Sequence, residues 1–143
     1  MTARDCPCGS GGAYAGCCRP FHKGEREAAG AEALMRSRYA AFATKEVAYL
    51  WKTLAPEHED RAKDEADVLR ELRTTASAFR YMGLKVLGAR EDGDHGEVTF
   101  VARIFEKGQD RSFVERSEFR RVDGAWRYAG ALEGPRPLDD DER

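Results

Sequence analysis

In Phe113-Val114-Glu115-Arg116-Ser117-Glu118-Phe119-Arg120, aromatic residues open and close one alternating set, Phe113, Glu115, Ser117 and Phe119, while Val114, Arg116, Glu118 and Arg120 form the other. Successive side chains of a strand point to opposite faces, so this spacing predicts a β-strand, and the aromatic flanks make the first set its inner face. The same period of two runs from Tyr81 onward. Glycine and Asp-Gly punctuation divides this half of the chain into four strands, at about 82–90, 97–106, 112–122 and 125–132, with turns at Asp92-Gly93, Lys107-Gly108-Gln109 and Asp123-Gly124. Connections this short predict antiparallel pairing of neighbours.

Upstream the period is that of a helix. Across 31–42, Ala31, Met35, Tyr39 and Phe42 share one face with Leu34 at its edge. Counting about 100° per residue places Arg38 inside that face and Ser37 on the opposite side. A second helix, 45–54, turns Val47, Leu50, Trp51 and Leu54 inward before Pro56 stops it, and a third, 64–79, buries Val68, Leu69, Leu72, Ala76 and Phe79. Between them 57–63 reads as solvated linker. Three helices followed by a four-stranded meander predict an α+β fold, the helices packed on the concave face of the sheet.

The 143 residues are the length of one domain with a small appendage, and 41% hydrophobic with 35% charged residues marks a globular chain. No segment is apolar and long enough to span a membrane. Met1-Thr2-Ala3-Arg4-Asp5 lacks the apolar run of a secretory signal, so the expected location is cytoplasmic, with reduced cysteines. A net charge of -2 gives no electrostatic reason for nucleic acid as the main partner. The end of the chain, 135–143, reads as a disordered acidic tail, and His58 and His95 as solvated.

Every cysteine lies in Cys6-Pro7-Cys8-Gly9-Ser10-Gly11-Gly12-Ala13-Tyr14-Ala15-Gly16-Cys17-Cys18. A Cys-x-Cys pair, a glycine-rich loop and a Cys-Cys pair bring soft thiolates to one tetrahedral ion, for which zinc is the usual occupant. Cys6, Cys8 and Cys17 are three ligands; Cys18 is the fourth by softness, with His22 near enough in sequence to compete. Tyr14 is expected to cover one face of the site, and Arg19, Lys23 and Arg26 to offset its negative charge.

Cys6-Pro7-Cys8-Gly9-Ser10-Gly11 followed by Cys17-Cys18 resembles the SEC-C zinc-binding motif, named for its place at the C-terminus of the SecA translocation ATPase. Leu34-Met35-Arg36-Ser37-Arg38-Tyr39 resembles the signature of the bacterial YchJ-like (UPF0225) family. Further matches are Tyr49-Leu50, Thr53 with Pro56, Phe100-Val101-Ala102-Arg103, Glu115-Arg116-Ser117 and Trp126-Arg127-Tyr128. The resemblance implies a zinc knuckle at 1–24, a cone-like α+β domain similar to nuclear transport factor 2 at 25–134, and a tail at 135–143. Three departures stand out: the chain ends without the second cysteine cluster of some relatives, Leu54-Ala55-Pro56 lacks a histidine before the proline, and Ala129-Gly130-Ala131-Leu132 lacks an aspartate.

Inside the cone, the alternation puts the carboxylate of Glu115 in the core, where a lone charge must be paired or protonated. Arg38, also inward, is its expected partner, because a guanidinium takes both oxygens of a carboxylate. Arg38, Tyr39, Glu115 and Ser117 then form either a buried network fixing helix against sheet or the floor of a pocket for a small polar ligand, walled by Trp51, Trp126 and Tyr128. Two functions are open. One, which the SEC-C resemblance implies, is a non-enzymatic protein-interaction or ligand-binding module that docks a protein or ribosomal partner through the zinc knuckle, with the pocket or the open sheet face adding a second contact; the other is a small enzyme acting on a polar metabolite, with Glu115 as acid or base and Arg38 or Tyr39 as electrostatic stabiliser.

Overall fold

In the computed structural model, which describes residues 4–143, a cysteine-bearing loop leads into the short helix α1 (Arg19–His22), then α2 (Ala31–Thr44), α3 (Val47–Lys52) and α4 (Glu65–Ala78). Five strands follow: β1 (Arg80–Asp92), β2 (His95–Glu106), the two-residue β3 (Gln109–Asp110), β4 (Phe113–Val122) and β5 (Ala125–Pro137). The main sheet is antiparallel in the order β1-β2-β4-β5, with β3 pairing only β2. The α+β arrangement is the one the periodicities predict. Met1–Ala3, part of the segment read for a targeting signal, lie outside the described residues.

The sheet curves because its ladders are interrupted. Register shifts fall between Tyr81 and Gly83 and between Val86 and Gly88 of β1, and at three places where β4 meets β5. Each bulge bends and twists its strand locally, and together they wrap the sheet around the helices. Phe100, Ala102, Ile104 and Phe119 face the helices; the opposite face carries charged pairs such as Arg116 with Glu97 and Glu133, at 2.6 and 2.8 Å.

Helix α2 is buried on more sides than its amphipathic count allows. Its sheet-facing stripe is as predicted, with Ala31, Leu34, Met35 and Tyr39 all 5% exposed or less, but Ser37, Ala40 and Ala41 are fully buried too. Ser37 therefore does not lie on a solvent face. Its Oγ donates to Leu34 O at 2.7 Å and meets Tyr49 Oη at 2.7 Å, under α3. Ala40 packs against the cysteine loop. A helix held between a sheet, a second helix and a knuckle needs small or hydrogen-bonded residues on its back, and a one-face template misses them. At its N-terminus the capping group comes from the sheet: Glu91 Oε2 accepts the Ala31 N–H at 2.9 Å.

Two regions expected to be solvated are packed. His58 caps the turn at Glu59–Ala62, its Nδ1 accepting the Asp60 N–H at 3.0 Å, and its ring lies 5.5 Å from that of Tyr128 with a side chain only 13% exposed. The chain end is not a disordered tail. β5 continues to Pro137, Leu138 is buried with Val101 and Val114 on the convex face, and Arg136 and Arg143 pair with Glu142 and Asp110. Apolar residues on the outer face of β2 and β4 offer this segment something to cover, a relation across the sheet that composition does not reveal. His95, at a turn, hydrogen-bonds Glu118 at 2.8 Å and is half exposed.

Candidate functional site

The loop from Cys6 to Cys18 closes by its own backbone. Cys6 N–H donates to Gly12 O at 2.9 Å and Tyr14 N–H to Arg4 O at 2.9 Å, forming a small antiparallel bridge between Asp5 and Ala13. Gly9 holds a φ of +81°, and a side chain there would press on Leu84 O of β1, so glycine lets the loop both turn and lie on the sheet. A single turn at Tyr14–Gly16 then delivers Cys17 and Cys18 back to the first pair.

The Sγ atoms of Cys6, Cys8, Cys17 and Cys18 all lie within 4.8 Å of one another, and those of Cys8 and Cys17 are 3.6 Å apart. Tetrahedral coordination with metal–sulfur bonds of about 2.3 Å needs sulfurs roughly 3.8 Å apart, so the four donors fit one ion. None is in a disulfide. The cluster holds four thiols close together with little solvent: burial raises Cys6 to about 11, contact with the Cys18 thiol pulls Cys8 down to about 4, and that same contact followed by burial holds Cys18 well above its ordinary value. A divalent cation bound there would replace those protons.

His22 is not among the donors. Its Nε2 donates to Ser37 O at 2.8 Å, leaving Nδ1 to accept from Tyr14 Oη at 2.7 Å, so both ring nitrogens are committed. Burial lowers its affinity for a second proton. His22 instead stands between Tyr14 of the loop and Tyr49 of α3, with ring centroids at 5.6 and 4.9 Å. Tyr14 thus turns inward over the cysteines rather than presenting its ring outward. Of the cations expected to offset the thiolates, Lys23 pairs with Glu46 and Arg26 lies over Phe21. Arg36, which no spacing argument places near the cysteines, donates to Cys8 O at 2.9 Å.

The cone presents a second constellation, and here the expected Arg38–Glu115 pair is corrected. Arg38 Nη1 donates to Leu50 O at 2.9 Å and Thr53 Oγ1 at 2.6 Å, capping the end of α3, where unsatisfied carbonyls attract a cation. Glu115 Oε2 accepts from Ser117 Oγ and from Tyr128 Oη at 3.1 Å. Among the described residues no ion pair joins the two; the Tyr128 ring, 4.6 Å from the guanidinium, stands between them. Backbone bonds from Ala55 N–H to Tyr128 O and from Tyr128 N–H to Thr53 O, both 2.8 Å, hold that ring in place. Burial lowers Arg38 to about 10, and burial with the nearby Glu115 carboxylate raises Tyr128.

A cavity of about 670 Å³ opens along this face, lined by Arg38, Tyr39, Glu115, Ser117 and Tyr128 and by several phenylalanines. Trp51 and Trp126 do not wall it. Trp51 lies under Arg61 at 4.6 Å, and Trp126 is 1% exposed, packed against Gly96 at the start of β2. Tyr39 lines the cavity but its hydroxyl belongs to the backbone: it donates to Gly83 O at 2.8 Å and accepts Gly83 N–H at 3.0 Å, filling the first bulge of β1.

Residues 30–131 match the family described as "YchJ, middle NTF2-like domain". A UPF0225 protein of Deinococcus radiodurans is 43% identical over 131 residues, covering 91% of this chain and 90% of the relative, and a UPF0225 protein of Geobacter sulfurreducens is 39% identical, covering 86% and 75%. The solution structure of a SEC-C motif containing protein from Rhodopseudomonas palustris superposes with a TM-score of 0.80 at 39% identity, over 92% of this chain and 99% of that one. A SEC-C motif containing protein from Psychrobacter arcticus shares the fold, with a TM-score of 0.76 at 24% identity over 93% and 84%. With residues 30–131 matching the middle domain and relatives at this identity spanning most of both chains, the chain belongs to the YchJ-like, or UPF0225, family.

Proposed function

We propose that the chain is a non-enzymatic, zinc-bearing binding protein of the cytoplasm that engages a protein partner through its N-terminal knuckle. The observation that carries this reading is the four-sulfur cluster, whose geometry fits one ion and whose all-thiolate donor set is the one zinc most often occupies in structural sites. Structural zinc of this kind makes a rigid loop, and a rigid loop presents side chains at little entropic cost. Gly9–Gly12, Ala15, Gly16 and Arg19 form its exposed rim, while Tyr14 is turned onto the sulfurs. The docking face is therefore this rim, with Tyr14 as a shield. The division into a knuckle at 1–24, a cone at 25–134 and a final segment at 135–143 belongs to the same proposal.

Metal analysis of protein purified without chelator tests the first half: one zinc per chain is expected, and none in Cys8→Ser. For the second half, Ala15→Arg places bulk on the rim without touching a ligand. A partner captured by the wild-type protein and lost by both Cys8→Ser and Ala15→Arg, the latter with its zinc retained, supports docking through the knuckle. Capture unaffected by either substitution refutes it.

A further inference from the structure

The cavity of the cone, about 670 Å³, is the size that takes a small molecule, and the knuckle makes no use of it. Its length follows β4, whose successive inward residues Phe119, Ser117, Glu115 and Phe113 all line it, a span of roughly 20 Å at about 3.4 Å per residue. Phe42, Phe79, Phe100 and Ile104 close it from α2, the end of α4 and β2. The walls are apolar along most of that length, which disfavours the small polar ligand expected from sequence.

Charged groups lie at two places: Arg38 and Glu115 flank Tyr128, while Asp110, Arg111, Arg136 and Arg143 rim the end beyond Phe113, where the three arginines pair with Glu106, Glu142 and Asp110. Arg38 is 9% exposed and lines the cavity; its guanidinium lies over the Tyr128 ring, and its hydrogen bonds run from Nη1 alone. Among the described residues Nε and Nη2 donate to no protein atom, and no carboxylate pairs with the guanidinium. Among the described residues no buried side-chain nitrogen or oxygen lacks a partner, so these two nitrogens are open to the cavity, and a cation with free donors and no counter-ion there attracts an anion that enters it. Glu115 is the complement: Oε2 takes Ser117 and Tyr128, while Oε1 receives no donor among the described residues. Arg38 lies over the Tyr128 ring and Glu115 accepts from its hydroxyl, so the two groups sit one phenol apart. An anion on Arg38 therefore meets the charge of Glu115 unless the same molecule offers a donor beside it.

We propose that the cone is a binding site for an elongated apolar acid with a hydroxyl or ammonium group adjacent to its carboxylate. The carboxylate bonds Nε and Nη2 of Arg38, the adjacent donor bonds Glu115 Oε1, and the apolar body runs along β4 toward Phe113. The requirement for a donor beside the anion follows from Glu115, and the requirement for length from the phenylalanine walls.

Isothermal titration with 2-hydroxydodecanoate, 2-aminododecanoate, dodecanoate and dodecylamine, each below its micellar concentration, tests the assignment. At least one of the two substituted acids should bind saturably and about tenfold more tightly than dodecanoate, the loss expected when a buried acceptor is left unpaired. Which of the two binds better tells hydroxyl from ammonium. Arg38→Met should weaken that acid by about a hundredfold, as truncating a buried charge contact does, and Glu115→Gln should abolish the preference over dodecanoate. Because Arg38 also caps α3, circular dichroism must show that its variant folds. Thr75→Trp is a second test that leaves the cap intact: Thr75 is exposed on α4 at the cavity lining, so the indole blocks entry without disturbing the core. No saturable binding of either substituted acid, tightest binding of dodecylamine, or affinity that survives Thr75→Trp would overturn the proposal.

Discussion

Replacing Tyr39 by Phe removes one oxygen atom and leaves the ring in place, which makes it a clean test of what holds the curved sheet. That oxygen accepts the Gly83 N–H at 3.0 Å and donates to Gly83 O at 2.8 Å, at the point where β1 slips its register against β2. Without it the amide and carbonyl lose their side-chain partner. Leaving a buried backbone group unpaired costs about 1–3 kcal/mol, and Gly83 is only partly covered, so the lower half of that range applies; the lost O–H bond adds about 1 kcal/mol. The expected destabilisation is about 2 kcal/mol. With an unfolding entropy of about 2.1 cal/mol/K per residue, the 143-residue chain should lose roughly 7 °C in Tm. Urea titration followed by circular dichroism reads the difference, with an unchanged m-value showing that only stability has moved. Amide exchange locates it, and Gly83 should lose protection before its neighbours. A loss under about 0.5 kcal/mol, or a Gly83 amide as protected as in the wild type, would show that the phenol does not sustain the bulge.

Three further outcomes follow from other contacts. A Cβ at Gly96 would lie 2.8 Å from that of Ala31 and 3.1 Å from the Trp126 ring, so Gly96→Ala should cost about 1–3 kcal/mol by overpacking; adding Ala31→Gly should recover part of it, which thermal melts of the pair will show. His58 is held neutral by burial, with a folded pKa below its ordinary 6.5. Protonation therefore favours the unfolded chain, and the stability that neutral His58 contributes is present above about pH 6.5 and is lost as the pH falls. Denaturation of wild type and His58→Gln at pH 7 and pH 5 should show a smaller drop in the variant, and parallel drops would contradict this account. Removing metal with a chelator at pH 7 should lower the melting temperature of the whole chain in a single transition, because the cysteine loop and α2 share the buried Ala40. A separate early transition with the cone unchanged would mean that the knuckle is an independent unit.

What the sequence determined by itself was local or periodic. The alternation in Phe113–Phe119 named the cavity face of β4 correctly, and the spacing of Ala31, Met35 and Tyr39 named the sheet-facing stripe of α2. The cysteine cluster was legible because ligand spacing within a short glycine-rich loop leaves few ways to arrange four thiols. Choices among distant acceptors were not legible. Arg38 and Glu115 are opposite charges on facing elements, and pairing them was the natural expectation, yet the tertiary structure places the unsatisfied carbonyl of Leu50 and the hydroxyl of Thr53 closer to the guanidinium and the Tyr128 ring between the two charges. His22 competed with Cys18 for the fourth ligand position on sequence alone, and only the tertiary structure engages both its nitrogens, with Ser37 O and Tyr14 Oη. Ser37 itself, and the chain end beyond Gly134, depart from expectation for one reason: whether a polar or acidic segment is covered depends on what a second layer has left unburied. Period and composition report how a segment meets one neighbour, whereas burial on a second side is decided only when the helices, the knuckle and the curved sheet come together.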